Sequence, residues 1–97
     1  MGKAETSVGL AWYRREDWET LRDLFPDRSA LHATYDEWEA DARRVERQLG
    51  AQGQAVERII IDPAEFSGWC ALRGLEPNGA ARSRFTTEAL RARHKTS

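Results

Sequence analysis

Three side chains of this sequence belong to the types most often used in catalysis or metal binding: Cys70, His32 and His94. Neither histidine has a cysteine or carboxylate at metal-ligand spacing, and no H-x-x-x-H, C-x-x-C or phosphate-binding loop occurs. Cys70 follows Trp69 in an apolar stretch, where burial raises the pKa of a thiol and suppresses its reactivity. The sequence therefore predicts a protein that is not an enzyme and has no cofactor or metal site.

Residues 74–85, GLEPNGAARSRF, suggest binding chemistry instead. A glycine and a leucine ahead of Pro77-Asn78 resemble the start of DNA-reading helices in bacterial regulators. Residues 62–92 supply the outline of a helix-turn-helix around this turn. Under this alternative, the phosphate contacts of the second helix would come from Arg82, Arg84 and Arg91.

The same residues also fit a purely structural interpretation. Gly79 follows Asn78 where such regulators carry Thr or Ser, and Ala80 replaces the branched aliphatic residue expected to pack on the first helix. Gly74 can end one helix in the left-handed conformation, with Leu75 packing back on that helix. Nucleic-acid binding is therefore the alternative hypothesis, and a helix cap is the simpler one.

Charge is unevenly distributed along the chain. The formal net charge is −1, but residues 1–67 carry 9 basic and 14 acidic residues, whereas residues 68–97 carry 6 basic and 2 acidic residues. A basic C-terminal helix on an acidic body favours an anionic partner, and it equally favours self-association of body with tail.

The chain is rich in large aromatic residues, with four tryptophans among 97 residues. Their helical and strand spacing predicts that most of them form the core, because each ring buries a large apolar area. A ligand pocket is a further, weaker hypothesis, in which Tyr13 lies on the side of its strand opposite Trp12. The residues of this possible pocket are Tyr13, Arg14, His32 and Tyr35.

Six elements follow from the patterns of apolar residues and caps. Alternation predicts a strand over residues 7–13, and a run of β-branched residues predicts another over 55–61. T-x-x-E at Thr34 is a capping box, and Asp62-Pro63 is a strong helix start. The predicted helices span residues 15–24, 35–51, 62–73 and 78–92.

These elements predict a helix-dominant α+β fold in the order β-α-α-β-α-α, with two short strands covered by helices. Two strands make a poor sheet alone, so the sheet could be completed by a second copy at an edge. The predicted organisation is a disordered N-terminus over 1–6, a single domain over 7–92 and a frayed tail over 93–97. Neither a membrane span nor a signal peptide is recognisable, and the single cysteine fits a reducing compartment, so a cytoplasmic location is expected.

Three segments together resemble a group of small uncharacterised bacterial proteins, a domain of unknown function. These segments are AWYRREDW over 11–18, TYDEWEADA over 34–42 and IDPAEFSGWCALRGLEPNGAAR over 61–82. The resemblance implies a cytosolic bacterial protein, and it brings no activity and no site residues.

The leading functional hypothesis is a small non-enzymatic domain that works through protein contacts and forms a homodimer. Its basis is the incomplete sheet, the lack of a catalytic constellation and a narrow apolar stripe on the helix over 35–51, with residues spaced three and four apart. Nucleic-acid binding through residues 62–92 is the alternative, and a membrane partner is not expected.

Overall fold

The computed structural model describes residues 7–27, 29 and 31–95, and the predicted disordered residues 1–6 lie outside that part. Its element order confirms the predicted β-α-α-β-α-α fold. A 3-10 turn at Arg15–Asp17 leads directly into the first α-helix. The elements are β1 Ser7–Trp12, α1 Trp18–Leu24, α2 Tyr35–Ala51, β2 Ala55–Ile60, α3 Pro63–Arg73 and α4 Gly79–Lys95.

The two strands pair in parallel, from Ser7 opposite Ala55 to Trp12 opposite Ile60. Parallel pairing requires a crossover between the strands, and α1 and α2 form it. Trp12 C=O also accepts a bond of 2.9 Å from the Ile61 amide, which extends the ladder past β2. Because α1 follows β1 and α3 follows β2, both helices begin at the carboxyl end of the sheet, where they pack together.

The two long helices cover opposite faces of the sheet. On one face Trp12 meets Trp38 of α2, and Arg58 binds Glu46 of α2 through both carboxylate oxygens at 2.7 and 2.9 Å. On the other face Gly9 lies against Thr86 and Leu90 of α4. No helix within the described residues is long and apolar enough to cross a membrane.

The helix starts lie where the caps were predicted. Thr34 Oγ1 accepts from the Glu37 amide at 3.1 Å, and Asp62 Oδ2 accepts from the Glu65 amide at 3.0 Å. Asn78 Oδ1 accepts from the Ala81 amide at 2.9 Å at the start of α4. Gly74 ends α3 at φ 65°, in the left-handed region that favours glycine.

Helix α4 extends to Lys95, three residues beyond the predicted helix end at residue 92. Glu57 of β2 holds this last turn, because its carboxylate lies 3.2 Å from Arg93 Nη1 and 2.5 Å from His94 Nε2. The His94 contact lowers the pKa of Glu57, with Arg93 adding to the effect. The sequence prediction ended the helix early because this contact is not local.

The core is an aromatic cluster centred on Trp38. Its indole ring lies 4.7 to 6.0 Å, centroid to centroid, from four other rings, which come from β1, the residue after it, α1 and α2. Phe25 and Phe66 extend the cluster toward α3, with ring centroids 6.2 Å apart. The four rings in contact with Trp38 are those of Trp12, Tyr13, Trp18 and Tyr35.

A half-buried ion pair connects α4 to the segment after α1. Arg82 donates from Nη1 and Nη2 to the two carboxylate oxygens of Asp27 at 3.0 and 2.9 Å. The guanidinium also lies 4.0 Å from the centroid of Phe25. This bidentate contact lowers the pKa of Asp27 below its usual range.

Replacing Trp38 with alanine should destabilise the fold by about 3–5 kcal/mol, as expected for truncation of a large core aromatic residue. The reason is that Trp38 is only 8% exposed and contacts rings of β1, α1 and α2 and the ring of Tyr13. Urea denaturation monitored by circular dichroism measures the free energy of unfolding. The matched control is Trp69→Ala, because Trp69 is only partly buried and should cost clearly less. Equal losses for the two variants would contradict the central position of Trp38.

Replacing Asp27 with asparagine should destabilise the fold by roughly 1–2 kcal/mol, less than the ~3–5 kcal/mol of a fully buried pair, because the Asp27 side chain is 39% exposed. Because the folded-state pKa of Asp27 is lowered, the contribution of its carboxylate to the free energy of unfolding is complete above the unfolded-state pKa. That contribution is lost as pH falls through the folded-state pKa. The free energy of unfolding of the variant should therefore fall less on acidification below about pH 4. Asp36→Asn, which removes an exposed pair with Arg15, is the control and should have little effect at any pH.

Candidate interaction surface

The outer edge of β1 is the most distinctive surface of the protein. Within the described residues the sheet has two strands, so the side of β1 away from β2 has no strand beside it. A groove of about 440 Å³ runs along this edge between β1 and α4. A second hollow of about 400 Å³ continues it toward Ser7 and His94. We call the two together the edge groove.

Backbone polarity gives the edge groove its chemical character. Trp12 C=O points toward β2, since it accepts from the Ile61 amide. In a parallel ladder the N–H and C=O of one residue point to the same side of the strand, and those of the next residue point to the opposite side. The N–H and C=O of Gly9 and Ala11 therefore point away from β2 and into the groove. Tyr13 C=O accepts a 2.8 Å hydrogen bond from the Tyr35 hydroxyl. The carboxyl end of the edge is therefore capped, and the middle presents backbone donors and acceptors.

Helix α4 forms the floor of the groove. Residues 79, 83, 87 and 91 recur every four positions, so they share one side of the helix, and the groove is lined from this side. Ser83, Thr87 and Arg91 are exposed. The helix lies very close to the strand at Gly9, where an added Cβ would be 3.0 Å from Thr86 Cγ2. Because residue 9 is glycine, α4 can pack closely beneath the free edge of β1. We call the side of α4 formed by residues 79, 83, 87 and 91 the ledge.

The residues of the predicted pocket do not form one. Tyr13 and Tyr35 are buried in the aromatic core, and burial raises the pKa of both hydroxyls. Arg14 instead bridges Asp17 at 2.8 Å and Asp62 at 2.5 Å on the surface. His32 lies beside α2, with Nε2 3.5 Å from Asp41 Oδ2. The structure thus joins the two tyrosines and directs Arg14 and His32 to different acidic partners.

The three arginines proposed for phosphate contact have different environments. The Arg82 side chain is 11% exposed and is bound to Asp27. Arg84 lies on the surface, 3.0 Å from Glu88. Arg91 is exposed at the far end of the edge groove. Arg82 and Arg91 both line the edge groove, but of these two only Arg91 is exposed.

The remaining reactive groups are buried or dispersed. Cys70 is 3% exposed, and burial raises the pKa of its thiol. Among residues 7–27, 29 and 31–95, no group of three or more His, Cys, Asp or Glu residues is arranged to hold a metal ion.

Sequence reasoning identified the incomplete sheet but not the edge groove. The available signal was β1 itself, whose sequence SVGLAW contains no charged residue and no proline, the residues that usually protect a free edge. By contrast, β2 carries Glu57 and Arg58. Which edge of β1 is free depends on the parallel pairing, and that could not be derived from local patterns.

Comparison with known proteins gives a family but no activity. No curated protein matches the chain, and no solved structure matches it. A family model covers residues 3–96, nearly the whole length of the chain. The chain therefore belongs to the family described as Domain of unknown function (DUF8829).

Proposed function

We propose that this protein is a non-enzymatic interaction domain that self-associates through the free edge of β1. The observation that supports this most directly is an uncharged edge strand with outward backbone groups above a ledge of small polar side chains. Such an edge is a template for another strand, because every added residue pair satisfies backbone groups that otherwise depend on water.

A second copy of β1 fits this edge by symmetry. Two identical edges related by a twofold axis pair antiparallel, and the resulting interface uses the same surface on both copies. The two-stranded sheet would become a four-stranded one with β1 strands at its centre, which is a more typical sheet size. Val8 and Leu10, half-buried in one copy, would cover each other across the axis.

The ledges of the two copies would also pack against each other in such a pair. An axis perpendicular to the sheet places both α4 helices on the same face, side by side and antiparallel. The small side chains of Ser83 and Thr87 then allow close approach of the two helices. The basic end of each α4, with Arg91, faces the end of the other that follows Glu76. Opposite charges and antiparallel helix dipoles both favour this arrangement.

The apolar stripe of α2, which first suggested self-association, has a different role. Tyr35, Trp38 and Ala42 are buried within the protomer against the sheet and α1. Support for a dimer therefore comes from the sheet edge and not from α2.

Nucleic-acid binding has weaker support than self-association. Two of its three candidate arginines, Arg82 and Arg84, already bind carboxylates of Asp27 and Glu88. Helix α4 also packs its inner side on β1, so the predicted second helix of a DNA-binding hairpin covers one face of the sheet.

We also propose a cytosolic location for this domain, since its single cysteine is a buried free thiol.

Light scattering coupled to size exclusion should give about twice the 11.1 kDa protomer mass at micromolar concentration. Ala11→Pro should shift the protein to monomer, because a proline ring replaces an outward N–H and blocks strand addition but leaves the bonds to β2. Ser83→Arg should weaken the dimer at least about tenfold by filling the ledge, equivalent to ~1.4 kcal/mol.

Ser67→Arg on α3 is the matched control, because Ser67 is also an exposed helical serine but lies outside the edge groove. It should leave the dimer unchanged. A wild-type protein that stays monomeric at all concentrations would disprove self-association. A dimer that survives Ser83→Arg but is lost in Ser67→Arg would place the interface on α3 instead.

A further inference from the structure

The outer side of α3 differs from the outer side of the other long helices. Five of its exposed residues recur at helical spacing and are small or apolar, and the exposed charged residues of α3 are Glu65 and Arg73. Leu72 is the extreme case, with 88% of the residue exposed. We call this surface the α3 face: Ala64, Ser67, Gly68, Ala71 and Leu72.

The opposite side of α3 is already committed to the core. Phe66 and Cys70 are buried, and Trp69 packs against Phe66 with ring centroids 6.1 Å apart. A helix with few charges on either side normally has both sides covered. The exposed positions of α2 carry more charges, for example Arg43 and Arg44, and the last turn of α4 carries Arg93. Solvent is therefore an unusual neighbour for the α3 face.

A groove of about 470 Å³ continues the α3 face toward α1. Leu24 of α1 and Pro63 and Ala64 of α3 form its apolar walls, with Thr20 and Asp23 along the α1 side. The small side chains of the α3 face would let the axis of a third helix approach closely, while a larger apolar side chain fills the groove.

The charges at the border of this surface are acidic. Glu19 is exposed on the α1 side, and Glu65 is exposed on α3 itself. Arg73, the basic residue of α3, stacks its guanidinium 4.4 Å from the Trp69 ring centroid and lies 3.5 Å from Glu88, so it is directed toward α4. An acidic border around an apolar surface complements a basic partner.

We infer that the α3 face and its groove bind an amphipathic helix of a partner protein, with Leu-like side chains on one side and lysine or arginine on its flanks. The helices of a second copy do not fit this description. The apolar stripes of α2 and α4 are buried within their own protomer. This surface is separate from the edge groove, so the inference does not depend on self-association.

The test uses the full-length chain labelled with ¹⁵N and two synthetic amphipathic peptides. Both peptides carry leucine at i, i+3, i+4 and i+7; the remaining positions are lysine in one and glutamate in the other. The lysine peptide should shift the amide resonances of the α3 face, with a dissociation constant of roughly 1–100 µM that weakens as salt increases. The glutamate peptide should bind at least about tenfold more weakly.

Ala71→Arg should reduce the affinity for the lysine peptide at least about tenfold, through steric bulk and like charge. Ala40→Arg is the matched control, since Ala40 is an exposed alanine of α2, and it should leave the affinity unchanged. Leu72→Ser gives a second variant that removes no buried contact. The inference is overturned by equal binding of the two peptides, by shifts centred on β1 and α4, or by no shifts at all. A loss of wild-type dimer in Ala71→Arg would also overturn it, because the occupant would then be a second copy.

Discussion

The burial of four aromatic rings around Trp38 is the constraint on which the rest of the structure depends. The rings come from the end of β1, from α1 and from α2. No one of these elements could shield its own ring from water without the others. Each ring gains a dry environment only when the others are in place. The fold should therefore form as a unit, with the sheet, the crossover and the aromatic core appearing together.

Arginine side chains complete this core at its borders. Arg58 lies 3.7 Å from the ring centroid of Trp12, and Arg82 lies 4.0 Å from that of Phe25. A small domain cannot enclose so much aromatic surface with aliphatic residues, and the flat guanidinium covers a ring while its charge remains hydrated or paired. Each of these arginines also binds a carboxylate, of Glu46 or Asp27. Much of the basic charge that suggests an anionic partner is thus used within the protomer.

Local signals predicted the elements well because their causes are local. Thr34, Asp62 and Gly74 determine helix ends through atoms within a few residues, and each acts as predicted. The features that were not predicted have distant causes. Parallel pairing of β1 with β2, the Arg82–Asp27 pair across 55 positions and the contact of Glu57 with His94 all require the tertiary arrangement.

The candidate surfaces also depend on both local and distant causes. The lack of charge in β1 and the small residues of the α3 face are visible in the sequence, but they become surface properties only when the neighbours of each element are known. The two tyrosines of the predicted pocket are buried, because aromatic residues at core spacing pack against one another. Arg14 and His32 lie away from them, beside acidic residues.

The parallel order of the strands has a consequence for synthesis on the ribosome. A growing chain releases β1, α1 and α2 before β2 exists, so β1 leaves the exit tunnel with both of its edges bare. An apolar strand in that condition attracts whatever strand is nearest, including the same segment emerging from an adjacent ribosome on one messenger. Under the self-association proposed above, assembly of two copies would begin during translation, before either molecule has closed its own sheet.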